Sequence, residues 1–187
     1  MRLKDVVVER PRLLLVGINP GLKSGEVGHH FAGNGNPFWR LLHAADITPR
    51  LLGYDQDQEL ASFGIALTNL CPRTTRTAAE LTADEIASGR RALLRKAARW
   101  QPEVVALVGV TLYRMCFPAP PPTTAGGPGE KPERLAGAPV FVVPNPSGLN
   151  ASFPGFEHKL VWFKKLKEFV DGHDLVRTPQ RVPHLPR

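Results

Sequence analysis

Apolar residues along the chain are grouped into short segments, each followed by glycine, proline or an amide side chain. The segments cover residues 13–16, 63–70, 103–109 and 138–143. Short continuous apolar segments bounded by turn-forming residues are typical of strands that are buried on both faces of a parallel sheet. The pattern therefore predicts four buried strands.

Helical spacing of apolar residues marks the segments between these strands. Asn36 and Pro37 have the residue types of an N-cap and a first helical position, and Thr82 with Glu85 has the spacing of a capping box. Gly172 is predicted as a C-cap. The predicted helices cover residues 37–45, 82–101, 111–117 and 156–171, with a short helix in the connection 47–62 and a loop or loose hairpin over 118–134.

Alternating strands and helices predict an α/β fold, a three-layer α/β/α sandwich around a mostly parallel sheet of about four strands. We expect one domain over residues 1–176 and a disordered tail over 177–187, where prolines are dense and little apolar surface can be buried. Ligands of open α/β sheets bind outside the carboxyl ends of the strands. The loops 17–36, 68–76 and 144–152 should therefore form one site at that edge.

Composition narrows the partners and the compartment. The 187 residues carry a net charge of +7 and a pI near 9.8, which suits a polyanion such as nucleic acid, although many small proteins are basic for solubility alone. The sequence has no apolar run long enough for a membrane span and no signal peptide, so we expect a cytoplasmic monomer, nucleoid-associated if bacterial. Cys71 and Cys116 lack the spacing of metal ligands or of a disulfide framework, and neither a metal nor a cofactor is predicted.

Four segments carry a resemblance to a known family. They are GINPGL at 17–22, GHHFAGNGNPFW at 28–39, LTNLCPRTT at 67–75 and NPSGLN at 145–150. In this order they closely resemble the mismatch-specific uracil-DNA and thymine-DNA glycosylases, over most of the chain. The resemblance implies a uracil-DNA glycosylase-like α/β/α sandwich, and an enzyme that flips a base out of duplex DNA before cleaving it from the sugar.

Asn19 matches the catalytic asparagine of that family. A neutral amide is a poor general base, so the resemblance implies that Asn19 orients a water beside the sugar. Backbone N–H groups of the loop that begins with Gly17 and Ile18 would bind the base and stabilise the pyrimidine anion as it leaves. From the residues alone, a turn-forming role for Asn19 would suffice.

Two further side chains match the base pocket. Phe31 corresponds to the aromatic that stacks on the flipped base, and Asn69 to a position that is asparagine or lysine among relatives. Without the resemblance, Phe31 could be a core residue and Asn69 a turn cap. The chain departs from the family pattern at Asn34, where many relatives have proline, and at Pro37, where histidine is common.

The segment NPSGLN supplies the predicted DNA contacts. Leu149 resembles the apolar wedge that enters the base stack, and its neighbours Gly148 and Asn150 would present backbone groups to the opposite guanine. Ser147 is suited to a phosphate. On residue type alone, Leu149 would be a buried loop anchor.

Titratable neighbours offer alternatives to Asn19. His29 and His30 could titrate near neutrality, but the family is not built on a histidine base, and we expect them to shape the loop. Asp84, or else Glu85, could supply a stronger base, and Asp84 is the runner-up catalytic residue. Helix capping and the helix dipole are a sufficient explanation of both carboxylates.

The resulting prediction is a monofunctional hydrolase that excises uracil from double-stranded DNA with G·U or G·T mismatches and initiates base excision repair. Thymine and other modified pyrimidines stay open as further substrates. No lysine, Lys23 included, stands at a motif position that suggests the amine nucleophile of a lyase. Two alternatives remain: a mismatch or lesion sensor that does not cleave, and a nucleotide-binding enzyme, although its fingerprints are absent from the sequence.

Overall fold

A five-stranded sheet forms the centre of the computed structural model, which describes residues 3–118, 126–147 and 153–177. The strand order is β2-β1-β3-β5-β4, and every neighbouring pair is parallel except β4 with β5. The strands are β1 Leu13–Gly17, β2 Ile65–Asn69, β3 Val105–Val108, β4 Gly129–Leu135 and β5 Ala138–Val143. The predicted α/β fold with a mostly parallel sheet is confirmed.

Helices cover both faces of this sheet. They are α1 Leu22–Val27, α2 Phe38–Ala44, α3 Ala83–Trp100, α4 Val110–Cys116 and α5 Phe156–Arg177. Because successive strand residues point to opposite faces, Leu13 and Leu15 pack with α2 and α5, whereas Leu14 and Val16 pack with α3 and α4. The three layers of the prediction follow from this alternation.

The predicted strand number is one too low, because β4 lies in the segment expected to be a loop or loose hairpin. Its sequence GEKPERL is polar, and only Lys131 and Leu135 are buried. An edge strand pairs on one side only and needs no continuous apolar segment. Pro132 falls where the register with β5 is irregular, between Lys131 and Arg134.

Two helix boundaries differ from their predictions. The N-cap of α2 is Pro37, one residue later than expected, and Asn36 Oδ1 accepts the Phe38 N–H at 3.0 Å from outside the helix. The C-cap at Gly172 is wrong, since α5 continues to Arg177. Past Gly172 the helix makes a local contact, in which His173 Nδ1 lies 2.8 Å from the Phe169 carbonyl oxygen one turn earlier.

The capping box of α3 was predicted from the sequence, whereas the helix α1 was not. The capping box of α3 is confirmed, with Thr82 Oγ1 accepting the Glu85 N–H at 3.2 Å and Glu85 Oε2 accepting the Thr82 N–H at 2.8 Å. The short helix α1 was not predicted, because only Ser24 and Gly25 of its six residues are buried and no apolar stripe exists.

Within the described ranges no helix could span a bilayer. Residues 178–187 of the predicted tail lie outside the described residues.

Candidate active site

A cavity of about 920 Å³ opens at the carboxyl edge of the sheet. Residues of all three loops expected to form one site line it. Among them are the predicted site residues Gly17, Ile18, Asn19, Phe31, Asn69 and Ser147. The structure therefore brings together every predicted base-binding residue and Asn19.

Backbone hydrogen bonds join the first two loops beyond the ends of β1 and β2. The Leu70 N–H donates to the Gly17 carbonyl and the Cys71 N–H to the Ile18 carbonyl, both at 2.8 Å. The Thr75 N–H donates to the Pro20 carbonyl at 3.1 Å. The loop that carries Asn19 is thus held against the 70–75 turn.

The Asn19 amide is oriented by this turn. Its Nδ2 donates to the Arg73 carbonyl at 2.9 Å and to Thr75 Oγ1 at 2.7 Å. Thr75 is buried, and its hydroxyl donates onward to the Thr77 carbonyl at 2.8 Å. Because Nδ2 is held there, the acceptor Oδ1 is the end of the amide left to serve a ligand. Thr75 was not predicted as a site residue, although it lies within the segment LTNLCPRTT at 67–75.

Gly17, Phe31 and Asn69 meet at the floor of the cavity. A Cβ atom built on Gly17 would lie 2.4 Å from Asn69 Oδ1 and 3.2 Å from Phe31 Cζ, so only glycine fits without displacing either side chain. One face of the Phe31 ring is covered by Phe38, with ring centroids 3.7 Å apart and an interplanar angle of 17°. Phe31 also lines the cavity, as expected of a stacking platform.

The two histidines beside Phe31 are anchored to the fold. His30 is buried, its Nε2 donates to the Lys4 carbonyl at 2.9 Å, and burial lowers its pKa. A neutral ring that already donates its one N–H is poorly placed to deliver a proton. His29 Nδ1 lies 3.1 Å from the buried carboxylate of Asp57. This geometry agrees with the expectation that both histidines shape the loop.

The loop that follows β5 is held from below by a buried lysine. Lys159 of α5 is 3% exposed, and its Nζ donates to the Pro146 carbonyl at 3.1 Å and to the Ser147 carbonyl at 3.3 Å. Burial lowers the pKa of Lys159. Asn145 Oδ1 accepts the Ser147 N–H at 3.0 Å. Lys159 was not predicted as a site residue, because it is one of several lysines in its helix and only the fold shows which of them is buried.

The remaining predicted DNA contacts cannot be placed in the same way. Gly148, Leu149 and Asn150 lie outside the described residues, so their roles as wedge and guanine contacts stay predictions.

The alternative carboxylates are not brought to the cavity. Asp84 is exposed on the first turn of α3 and is absent from the cavity lining. Glu85 accepts hydrogen bonds from Arg73 Nε at 2.5 Å and Nη2 at 2.9 Å, and this pair lowers the pKa of Glu85 to about 2. The geometry therefore supports Asn19 over either carboxylate as the polar group at the site.

Charge around the cavity has one sign. Lys23, Arg76 and Arg114 line it, and no acidic residue is found among the described residues of its lining. The described part of the chain also contains no group of three His, Cys, Asp or Glu residues arranged to hold a metal ion. The cationic lining favours an anionic ligand, and the cavity also offers amide and hydroxyl side chains, Asn19, Asn69 and Thr75 among them.

Comparisons with known proteins agree with the fold and identify a family. The family model described as the uracil DNA glycosylase superfamily matches residues 4–167. The chain is also similar to a solution NMR structure from Methanosarcina acetivorans of a protein named as a candidate uracil DNA glycosylase. The two share 19% sequence identity with a TM-score of 0.54, over 89% of this chain and 97% of that chain. At this identity, the structural likeness bears on the fold alone.

Proposed function

The chain belongs to the uracil DNA glycosylase superfamily, and we propose that it is a monofunctional DNA glycosylase that removes uracil from G·U mismatches in double-stranded DNA. Membership supports glycosylase action on DNA; the mismatch preference and the hydrolytic, nick-free product are our finer proposal. The observation that carries it is the Asn19 amide, held through Nδ2 so that Oδ1 is the acceptor at a cavity whose described lining contains no carboxylate.

Binding would begin with the DNA backbone and end with an extruded base. The cationic lining by Lys23, Arg76 and Arg114 supplies attraction for phosphates. Extrusion costs a few kcal/mol of stacking and pairing, and it costs least for a mispaired base. This difference gives a physical reason to expect G·U to be preferred over A·U. The open face of Phe31 then offers a stacking surface to the flipped uracil.

Hydrolysis would proceed by bond breaking ahead of proton transfer. Asn19 Oδ1 accepts a hydrogen bond from one water and orients its oxygen towards C1′ of the sugar. The bond from C1′ to the base breaks with its electron pair on uracil, and backbone N–H groups near Gly17 and Ile18 stabilise that anion. The water oxygen bonds to C1′ and its proton leaves to solvent or to the uracil anion. The products are an abasic site and free uracil.

A lyase step would need an amine at the sugar. Lys23 is the lysine found in the described lining of the cavity, and its Nζ pairs with Glu26 at 3.2 Å. Its side chain is partly exposed and paired with that carboxylate, whereas Schiff-base formation would require a free amine at the sugar. We therefore expect an abasic site without strand cleavage.

The test is excision from a labelled duplex with one G·U mismatch, by the wild type and by Asn19→Ala, with A·U and single-stranded substrates alongside. We expect wild-type excision, revealed by hot alkali, and a loss of more than about tenfold in the variant, or over 1.4 kcal/mol of barrier. Nicking before alkali would contradict the monofunctional proposal. Tight mismatch binding without any abasic product would establish the sensor instead.

A further inference from the structure

Asp57 is a buried carboxylate that the proposed reaction does not use. It lies in the 3₁₀-helix Tyr54–Phe63, is 1% exposed, and does not line the cavity. Its Oδ2 accepts the backbone N–H of His30 at 3.0 Å, and its Oδ1 lies 3.1 Å from His29 Nδ1. Burying a carboxylate is unfavourable unless hydrogen bonds compensate, and both of these bonds go to the loop between α1 and α2.

His30 is held by three separate parts of the chain. Besides the bond to Asp57, its Nε2 donates to the Lys4 carbonyl at 2.9 Å and its carbonyl accepts the Trp39 Nε1–H at 3.3 Å. The imidazole is 2% exposed. The N-terminal segment, the 3₁₀-helix and α2 therefore converge on this one residue, which directly precedes Phe31.

Phe31 has a backbone that needs such support. Its φ is +50°, in the left-handed region that residues with a Cβ atom rarely adopt. This backbone directs the ring onto Phe38 and towards Gly17 at the cavity floor. A residue in an unfavourable conformation persists only where its surroundings determine it. The hydrogen bonds of His30 fix the residue before Phe31, and the Ala32 N–H, which donates to Ser24 Oγ at 3.0 Å, fixes the residue after it.

We propose that Asp57 is a positioning residue: by fixing His29 and His30 it holds Phe31 where a flipped base would stack. The inference rests on the proposed function for its effect on excision. The hydrogen bonds of Asp57 with His29 and His30, here called the clamp, are a property of the unliganded protein. It assigns to the 3₁₀-helix a part in the reaction although none of its side chains reaches the cavity.

Hydrogen exchange tests the clamp without any substrate. In Asp57→Ala the amides of residues 29–31 should exchange at least about tenfold faster than in the wild type, because the His30 N–H loses its acceptor. Asp57→Asn keeps an oxygen acceptor and should show a smaller increase. Asp55→Ala, an exposed aspartate of the same helix, is the matched control and should leave this segment unchanged. Unaltered exchange in Asp57→Ala, or faster exchange throughout the protein, overturns the inference.

A double-mutant cycle with Phe31 tests the transmission to the site. Asp57→Ala should slow single-turnover excision of uracil by about tenfold, with affinity for an abasic-site duplex changed by less than about twofold, since no base is left to stack. In Phe31→Ala the further change Asp57→Ala should add less than about twofold. Full additivity overturns the inference, because a general structural defect would act in either background. If the wild type excises nothing, the proposed function fails, and hydrogen exchange alone then decides whether the clamp exists.

Discussion

Asn19 and the loop 145–147 face the same cavity, but different kinds of hydrogen bond hold them in place. Asn19 is oriented by neutral hydrogen bonds to a carbonyl and a hydroxyl of the adjacent turn. The loop instead accepts hydrogen bonds at two of its carbonyls from one ammonium, that of Lys159, which is buried beneath it. Loss of one neutral bond leaves Asn19 with its other partner, whereas loss of the Lys159 ammonium removes the donor of both carbonyls at once. We therefore expect the two regions to respond differently to substitution.

The largest effect is expected where the Asn19 loop meets the base pocket. In Gly17→Ala the new Cβ would lie 2.4 Å from Asn69 Oδ1 and would push both Asn69 and Phe31 away from the cavity floor. A displacement of about 1 Å can cost about 100-fold in rate, and we expect a loss of that order in single-turnover excision. The melting temperature should change little, because the atom displaced is the end of a side chain.

Gly21→Ala is the matched control for this prediction. It lies in the same loop, and a Cβ there would meet nothing within 4 Å. Its excision rate should stay within about twofold of the wild type. Equal losses in Gly17→Ala and Gly21→Ala would mean that loop flexibility, and not the packing of Asn69 against Phe31, limits the reaction.

A smaller effect is expected from Lys159→Met, and it should fall on binding. The Pro146 and Ser147 carbonyls lose their donor, so the loop should move, and affinity for a G·U duplex should fall by about tenfold, which is 1.4 kcal/mol. Burial lowers the pKa of Lys159, so the charged side chain destabilises the folded state at neutral pH. Methionine removes this destabilising charge, and we expect no large drop in melting temperature.

Lys164→Met provides the comparison for Lys159→Met. Lys164 is an exposed residue of the same helix, and its substitution by methionine removes the same charge from the protein. A similar loss of affinity in both variants would show that net charge alone is responsible. Unchanged affinity in Lys159→Met would show that the loop 145–147 does not depend on its buried anchor.

The sequence predicted the elements whose signals are local. The buried strands appeared as apolar segments, and Asn19 was expected just past a strand end, which agrees with the end of β1 at Gly17. Polar β4 was missed, since an edge strand can be stabilised by pairing with β5 alone. Lys159 was missed for a different reason: its helix presents several lysines, and only the fold determines which one is buried under a loop.

The smallest effect concerns Glu85, which reaches Asn19 only indirectly. Arg73 binds the Glu85 carboxylate through its side chain and the Asn19 amide through its carbonyl. Glu85→Gln should therefore slow excision by less than about threefold, since Thr75 still orients Asn19. The exposed Asp84→Asn should have no effect. A large loss in Asp84→Asn would instead establish Asp84 as the catalytic carboxylate.

The same pair makes a pH prediction for stability. The pKa of Glu85 is lowered from 4.5 to about 2 in the folded protein, chiefly by the hydrogen bonds from Arg73. A carboxylate with a lowered pKa stabilises the fold above its ordinary pKa, and this contribution disappears as the pH falls towards the folded value. The difference in melting temperature between wild type and Glu85→Gln should have its largest value at pH 7 and decrease between pH 4.5 and pH 2. Because the pair is exposed, added salt should reduce this difference too, and a difference independent of both pH and salt would show that the ion pair is not its cause.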